Sequence, residues 1–254
     1  MQSAIGKILF SVVVLGYLLA GLSNIEAQEQ RRYMYDSTMP PGEIGQLQLW
    51  RRDAMRNHTQ AVRLVGPEGS QVHVYNDSDF QPLGSDKAIV GMQVGQVYRV
   101  KVTNIPGYPG FEVFPSVEII NRLYPPAGME MKFPIEVHLP IEDLVPALNG
   151  AVVTRVIYLE DPDEAVPAAQ KRDDQPYFDV AVDQDPLSTA QQIGRPMAIV
   201  RAGSRIPDQN TDLYLFSFGS PPVQIFQQPA QYTPVTGSLQ IEPSRGVMTS
   251  LGDN

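Results

Sequence analysis

The chain contains no cysteine. That absence excludes disulfides, thiolate nucleophiles, Cys-ligated zinc and iron–sulfur clusters, and it removes the residue that would carry the acyl chains of a bacterial lipoprotein. Without cross-links the fold must rest on its core, and 254 residues with 43% hydrophobic content are enough to bury one. Cationic charge is also scarce: 19 Lys and Arg face 28 Asp and Glu, for a formal net charge of −9. An acidic exterior argues against nucleic acid and against docking on anionic lipid. Catalytic signatures are missing as well. There is no G-x-S-x-G elbow, no H-E-x-x-H, no G-x-x-x-x-G-K and no dinucleotide glycine fingerprint. The three histidines, His58, His73 and His138, stand far apart in sequence, so no metal triad is expected of them and the chain reads as a non-enzyme. With 23 Pro and 20 Gly, turns are many and long helices few.

A single long apolar run is present, and it lies at the N-terminus. Lys7 supplies a positive start, residues 8–22 are apolar apart from Ser11, Gly16 and Gly21, and small Ala27 ends the polar stretch that follows. Residues 1–27 therefore read as a secretory signal cleaved after Ala27. A helix over the run would span roughly 22 Å against a hydrocarbon core of about 30 Å, short for a retained anchor. No second apolar run follows, so the chain is expected in the periplasm or outside the cell, with no membrane span after cleavage.

Residues 28–60 show no sustained period and read as a flexible leader, with Leu47, Leu49 and Trp50 available for a short strand or for docking on the body. The strongest pattern comes at residues 94–120. Tyr98, Val100 and Val102 alternate with Arg99, Lys101 and Thr103; after a Gly/Pro loop, Phe111, Val113, Val117 and Ile119 alternate with Glu112, Ser116 and Glu118. Period two predicts neighbouring antiparallel strands with one face buried and one wet. Pro115 suggests an edge or a bulge. Val62 and Leu64, then the turn GPEG, then Val72 and Val74 predict strand, turn, strand, and DSDFQPLGSDKAI a loop. Further strands are expected at KFPIEVHL, AVVTRVIYLE, YFDVAVD, RPMAIVRAG and LYLFSF. IEDLVPALNG predicts one helical turn capped by Asp143, and DPLSTAQQIG a short helix with Asp185 as cap, Pro186 first and Gly194 beyond its end. The expected fold is mainly β: an antiparallel β-sandwich, Ig-like or PEGA-like, over residues 61–218, with two short helices and flexible termini. Residues 219–254, rich in Pro and Gln, read as a disordered tail.

The residues GPEGSQVHVYND, VGQVYRVKV and GYPGFEVFPSVEI, within positions 61–120, resemble the PEGA-type β-domains of bacterial surface proteins, with Ser70 in place of the alanine that names the family. Over residues 61–207, YRVKVTNIPGYPGFEVFPSVEIINRLYPPAG, VVTRVIYLEDP and GRPMAIVRAGSRIP are similar to exported proteins of unknown function from planctomycete-type bacteria. The resemblance implies an envelope location and no assigned activity.

Two acidic loops are the candidate cation ligands, Asp77 and Asp79 in one and Glu160, Asp161 and Asp163 in the other, because calcium takes several oxygens from flexible loops. Neither has EF-hand order. Tyr108, at a loop tip, and Phe114, off the core pattern of its strand, are the candidate partner-binding aromatics. The function expected is that of a structural or interaction module of the cell envelope, binding an envelope protein or a glycan; a carbohydrate-binding or calcium-binding module is the alternative.

Overall fold

β-Branched residues at every second position make the strands of this protein, and their burial decides how the strands stack. The computed structural model describes residues 35–84, 88–163, 175, 177, 179–181 and 183–226. The expected signal segment lies outside the described residues, as does the tail beyond residue 226.

The fold is mainly β, two sheets packed as a sandwich. One sheet holds β1 (Thr59–Val65), β4 (Ile89–Gln93), β7 (Ile135–His138) and β10 (Gln224–Ile225), in the order β10-β4-β1-β7. The other holds β2 (Gln71–Asn76), β3 (Asp79–Pro82), β5 (Val97–Thr103), β6 (Ser116–Ile119), β8 (Val153–Glu160) and β9 (Gly194–Ala202), in the order β3-β2-β5-β6-β9-β8. Val62, Leu64, Val90, Met92 and Val137 of the first sheet share one core with Val72, Val74, Val100, Val102 and Val117 of the second. Pairing is antiparallel except between β1 and β7, which run parallel from Val62↔Ile135 to Val65↔His138. The GPEG turn joins strands of different sheets, so it is a crossover and makes no hairpin. Ser70 closes it, donating both its backbone N–H and its hydroxyl to the Pro67 carbonyl.

Among the described residues four α-helices cover the edges and one face: α1 (Glu43–Arg51), α2 (Ile141–Leu148), α3 (Pro186–Ile193) and α4 (Leu213–Phe216). None among the described residues is long and apolar enough to cross a membrane. α3 follows its sequence signals closely: the Asp185 carboxylate accepts the Ser188 N–H at 2.8 Å, and Pro186 occupies the first turn. α2 is longer than one turn. It starts at Ile141 and carries Pro146 inside it, while Asp143 forms a two-point ion pair with Arg155 of β8 at 2.7 and 2.8 Å instead of capping.

Several expectations are corrected by packing. Residues 35–58 are no loose leader: Tyr35, Ile44, Leu49 and Met55 are buried, and where a short strand or docking on the body was expected α1 forms and docks Leu49 in the core, while Trp50 points to solvent, 82% exposed. Residues 79–82 of the expected loop pair with β2 as a hairpin. β6 is not an edge strand but lies between β5 and β9, with Pro115 just before it. AVVTRVIYLE, whose two apolar faces fit either a central strand or an edge of the core, is an edge strand paired with β9. The described residues of YFDVAVD form no strand, and LYLFSF is the helix α4. The chain past residue 218 stays with the body as far as 226, where β10 pairs with β4 and Val223 is buried.

Candidate functional site

Alternation along β2 and β5 turns Val72, Val74, Val100 and Val102 toward the other sheet and Tyr75, Arg99 and Lys101 away from it. This second face is covered over much of its width. Tyr35, Ile44, Ile120, Leu187 and Ile199 form a separate small core there, under α1 and α3. Ser116 and Glu118, read from sequence as wet, lie on this face and are buried; Glu118 is fully so. The Glu118 carboxylate accepts the Gly45 N–H at 2.9 Å and the Arg201 guanidinium at 2.8 Å, and Arg201 reaches on to the Met39 carbonyl at 3.3 Å. An ion pair between neighbouring strands thus ties the N-terminal segment to the sheet.

Beside this cover the segment 212–223 folds over β5 and β2. Asp212 accepts the N–H groups of Tyr214 and Leu215, which starts α4 and turns Phe216 inward. The Phe216 ring meets Phe114 edge-on at 5.4 Å, and Phe114 meets Phe80, which meets Tyr75 in turn. Arg99 sits against this stack. Its Nε donates to the Phe216 carbonyl at 2.7 Å and its Nη1 to the Phe114 carbonyl at 3.0 Å, with the rings of Phe216 and Phe218 at 4.3 and 4.7 Å from Cζ. Such contacts hold a guanidinium in place and leave its charge uncancelled. No carboxylate among the described residues pairs with it. Burial lowers its pKa to about 10, with the like charge of Arg205 adding to the shift.

Arg99 and Ser217 line the same small cleft, together with Tyr75, Tyr98, Ser220 and Val223. Ser217 is 3% exposed, and its Oγ has no hydrogen-bond partner. A buried hydroxyl left unpaired costs on the order of 1–3 kcal/mol, a cost that a ligand oxygen or a water would remove. Ile206, Tyr214, Leu215 and Phe218, in the same stretch of chain, are among the exposed large apolar residues.

The sites expected from sequence fall elsewhere. Asp77 and Asp79 flank the β2–β3 turn at one edge of the six-stranded sheet, and Glu160 ends β8 at the other edge. Five strand spacings of about 4.8 Å separate them. The acids serve their own turns: Asp79 accepts the Phe80 N–H, and Asp161 the Asp163 N–H. No three His, Asp or Glu side chains among the described residues are grouped to hold a metal. Phe114 is 3% exposed and central to the aromatic stack, since α4 covers it. Tyr108, half-buried, meets Phe111 instead, at 6.4 Å between ring centres. Arg99 was missed because alternation alone places it on a solvated face. The helix that covers it did carry a signal, with Asp212 before an apolar run and Gly219 after it.

These features define a β-sandwich with a partial third layer and a small cationic, aromatic cleft on its six-stranded sheet. Comparison with family models, curated proteins and solved structures finds no match.

Proposed function

We propose that this chain is a non-enzymatic, exported interaction module of the bacterial cell envelope, and that it binds a partner through the face built by β2, β5 and the 206–218 segment. The observation that carries this reading is Arg99, a largely buried cation with aromatic rings around it and no acid beside it among the described residues. Exposed Ile206, Tyr214 and Leu215 in the same stretch supply apolar area of the kind that marks interaction surfaces. Export is supported by the signal-like residues 1–27, and an envelope role by the PEGA-type pattern at 61–120.

Expression of the full chain in a Gram-negative host tests both halves. The mature protein is expected in the periplasmic fraction with Gln28 at its N-terminus. A photo-crosslinking residue at Leu215 is expected to capture one envelope component, while the same residue at Val152, also exposed, captures none. Retention in the cytosol with Met1 intact sinks the export reading. Equal labelling from both positions sinks the binding face.

A further inference from the structure

Resting on that reading, the chemistry of the cleft narrows what the partner must carry. Two of the three guanidinium nitrogens of Arg99 are held on the carbonyls of Phe216 and Phe114, and its Nη2 has no acceptor among the described residues. The Arg205 guanidinium, 5.7 Å from the Phe216 ring, brings a second positive charge. Ser217 adds a buried hydroxyl with no partner. A positive group, a second positive group and a free O–H donor share a need for one thing, an oxygen bearing negative charge. The space in the cleft, about 10 Å³, has room for one such oxygen, so the body of the ligand lies outside it, where the segment next in the chain presents the Phe218 ring, 4.7 Å from the Arg99 Cζ, and exposed Tyr214.

We propose that this cleft is a carboxylate subsite: one carboxylate oxygen of the partner enters between Arg99 and Ser217, while an apolar group beside that carboxylate rests on the exposed rings of the 214–218 segment. Asp212, Asp77 and Asp79 act on Tyr75 in the cleft wall, so the positive charge offered to the ligand is local to Arg99 and Arg205.

The probe is N-acetylphenylalanine, with N-acetylphenylalanine amide as a control of the same shape without the charge. Both are titrated at constant ionic strength into the full-length mature protein, and the Arg99 Nε–H resonance is followed. The acid is expected to move this signal saturably and the amide to leave it in place. Ser217→Ala is expected to weaken acid binding about tenfold, the value of one hydrogen bond to a charged group. The melting temperature of Ser217→Ala is expected to hold or rise, because the variant removes an unsatisfied hydroxyl. Arg205→Gln weakens binding less and folds normally, since that side chain is exposed. Equal shifts from acid and amide, or unchanged affinity in Ser217→Ala, overturn the subsite. Crosslinking at Leu215 that persists despite either result shows that the carboxylate inference alone has failed.

Discussion

Glu118 shows how much one side chain can decide. It sits on the β6 face that alternation marks as polar, but with α1 packed over it the carboxylate is fully buried between the Gly45 N–H and Arg201. Removing either partner of a buried pair strands the other charge, so Glu118→Ala and Arg201→Ala are each expected to lower the unfolding free energy by about 3–5 kcal/mol. Urea denaturation of the two variants and of their double should show strong coupling; simple additivity would mean that the charges act independently. Asp185 has a different part. Burial works against its charge, but hydrogen bonds from Ser37 and Ser188 outweigh burial and hold its pKa below the ordinary carboxylate value. A depressed folded-state pKa contributes stability above the unfolded-state value, and that contribution is lost as pH falls through the folded value. Asp185→Ala is therefore expected to cost about 1 kcal/mol at neutral pH, as loss of a cap does, and less at pH 3. A cost that does not change with pH would show that the charge is irrelevant there.

At the scale of elements, local grammar is reliable where the chain starts a helix and poor where a neighbour overrides it. α3 was legible because Asp185 and Pro186 each meet a backbone need that does not depend on tertiary contacts; Gly194 instead opens β9 in extended conformation, where a side chain would collide with the Leu159 carbonyl of β8. α2 was underestimated. Pro146 lacks the N–H that would bond to the Glu142 carbonyl, yet the helix persists because buried Leu144 and Ala147 and the Asp143–Arg155 pair hold it. Pro146→Ala restores that donor and should stabilise the protein by about 1 kcal/mol or more, read as a rise in melting temperature; a fall would mean that the proline ring is needed for packing. Apolar residues on both faces of β8 fit a central strand or an edge of the core equally, and β8 is an edge strand with α2 and α3 packed on it, so hydrophobicity does not separate centre from rim. The run LYLFSF could satisfy strand or helix by composition, and the cap at Asp212 decided it.

For the whole molecule, acid should loosen the fold before it unfolds. His58 and His73 both have lowered pKa values, each chiefly from burial, with the nearby Arg122 acting on His58 and Lys101 on His73. The unfolded chain takes up these protons first, near pH 6.5, so stability is expected to decline as pH drops from 7 toward 5. A double His58→Gln, His73→Gln variant should flatten that decline in thermal melts, and an unchanged slope would assign it to other groups. The hydrophobic alternation at 62–74, 98–102 and 135–139 was by itself enough to determine a mainly β body with one shared core, because burying every second side chain is a requirement that each strand states locally. What only the tertiary structure decided is which strands are neighbours: the parallel β1–β7 pair, the two sheets joined by the GPEG turn, and the third layer that buries Glu118 and surrounds Arg99. Those outcomes depend on residues far apart in the chain meeting across a sheet, and a period-two pattern contains no information about what will cover its polar face.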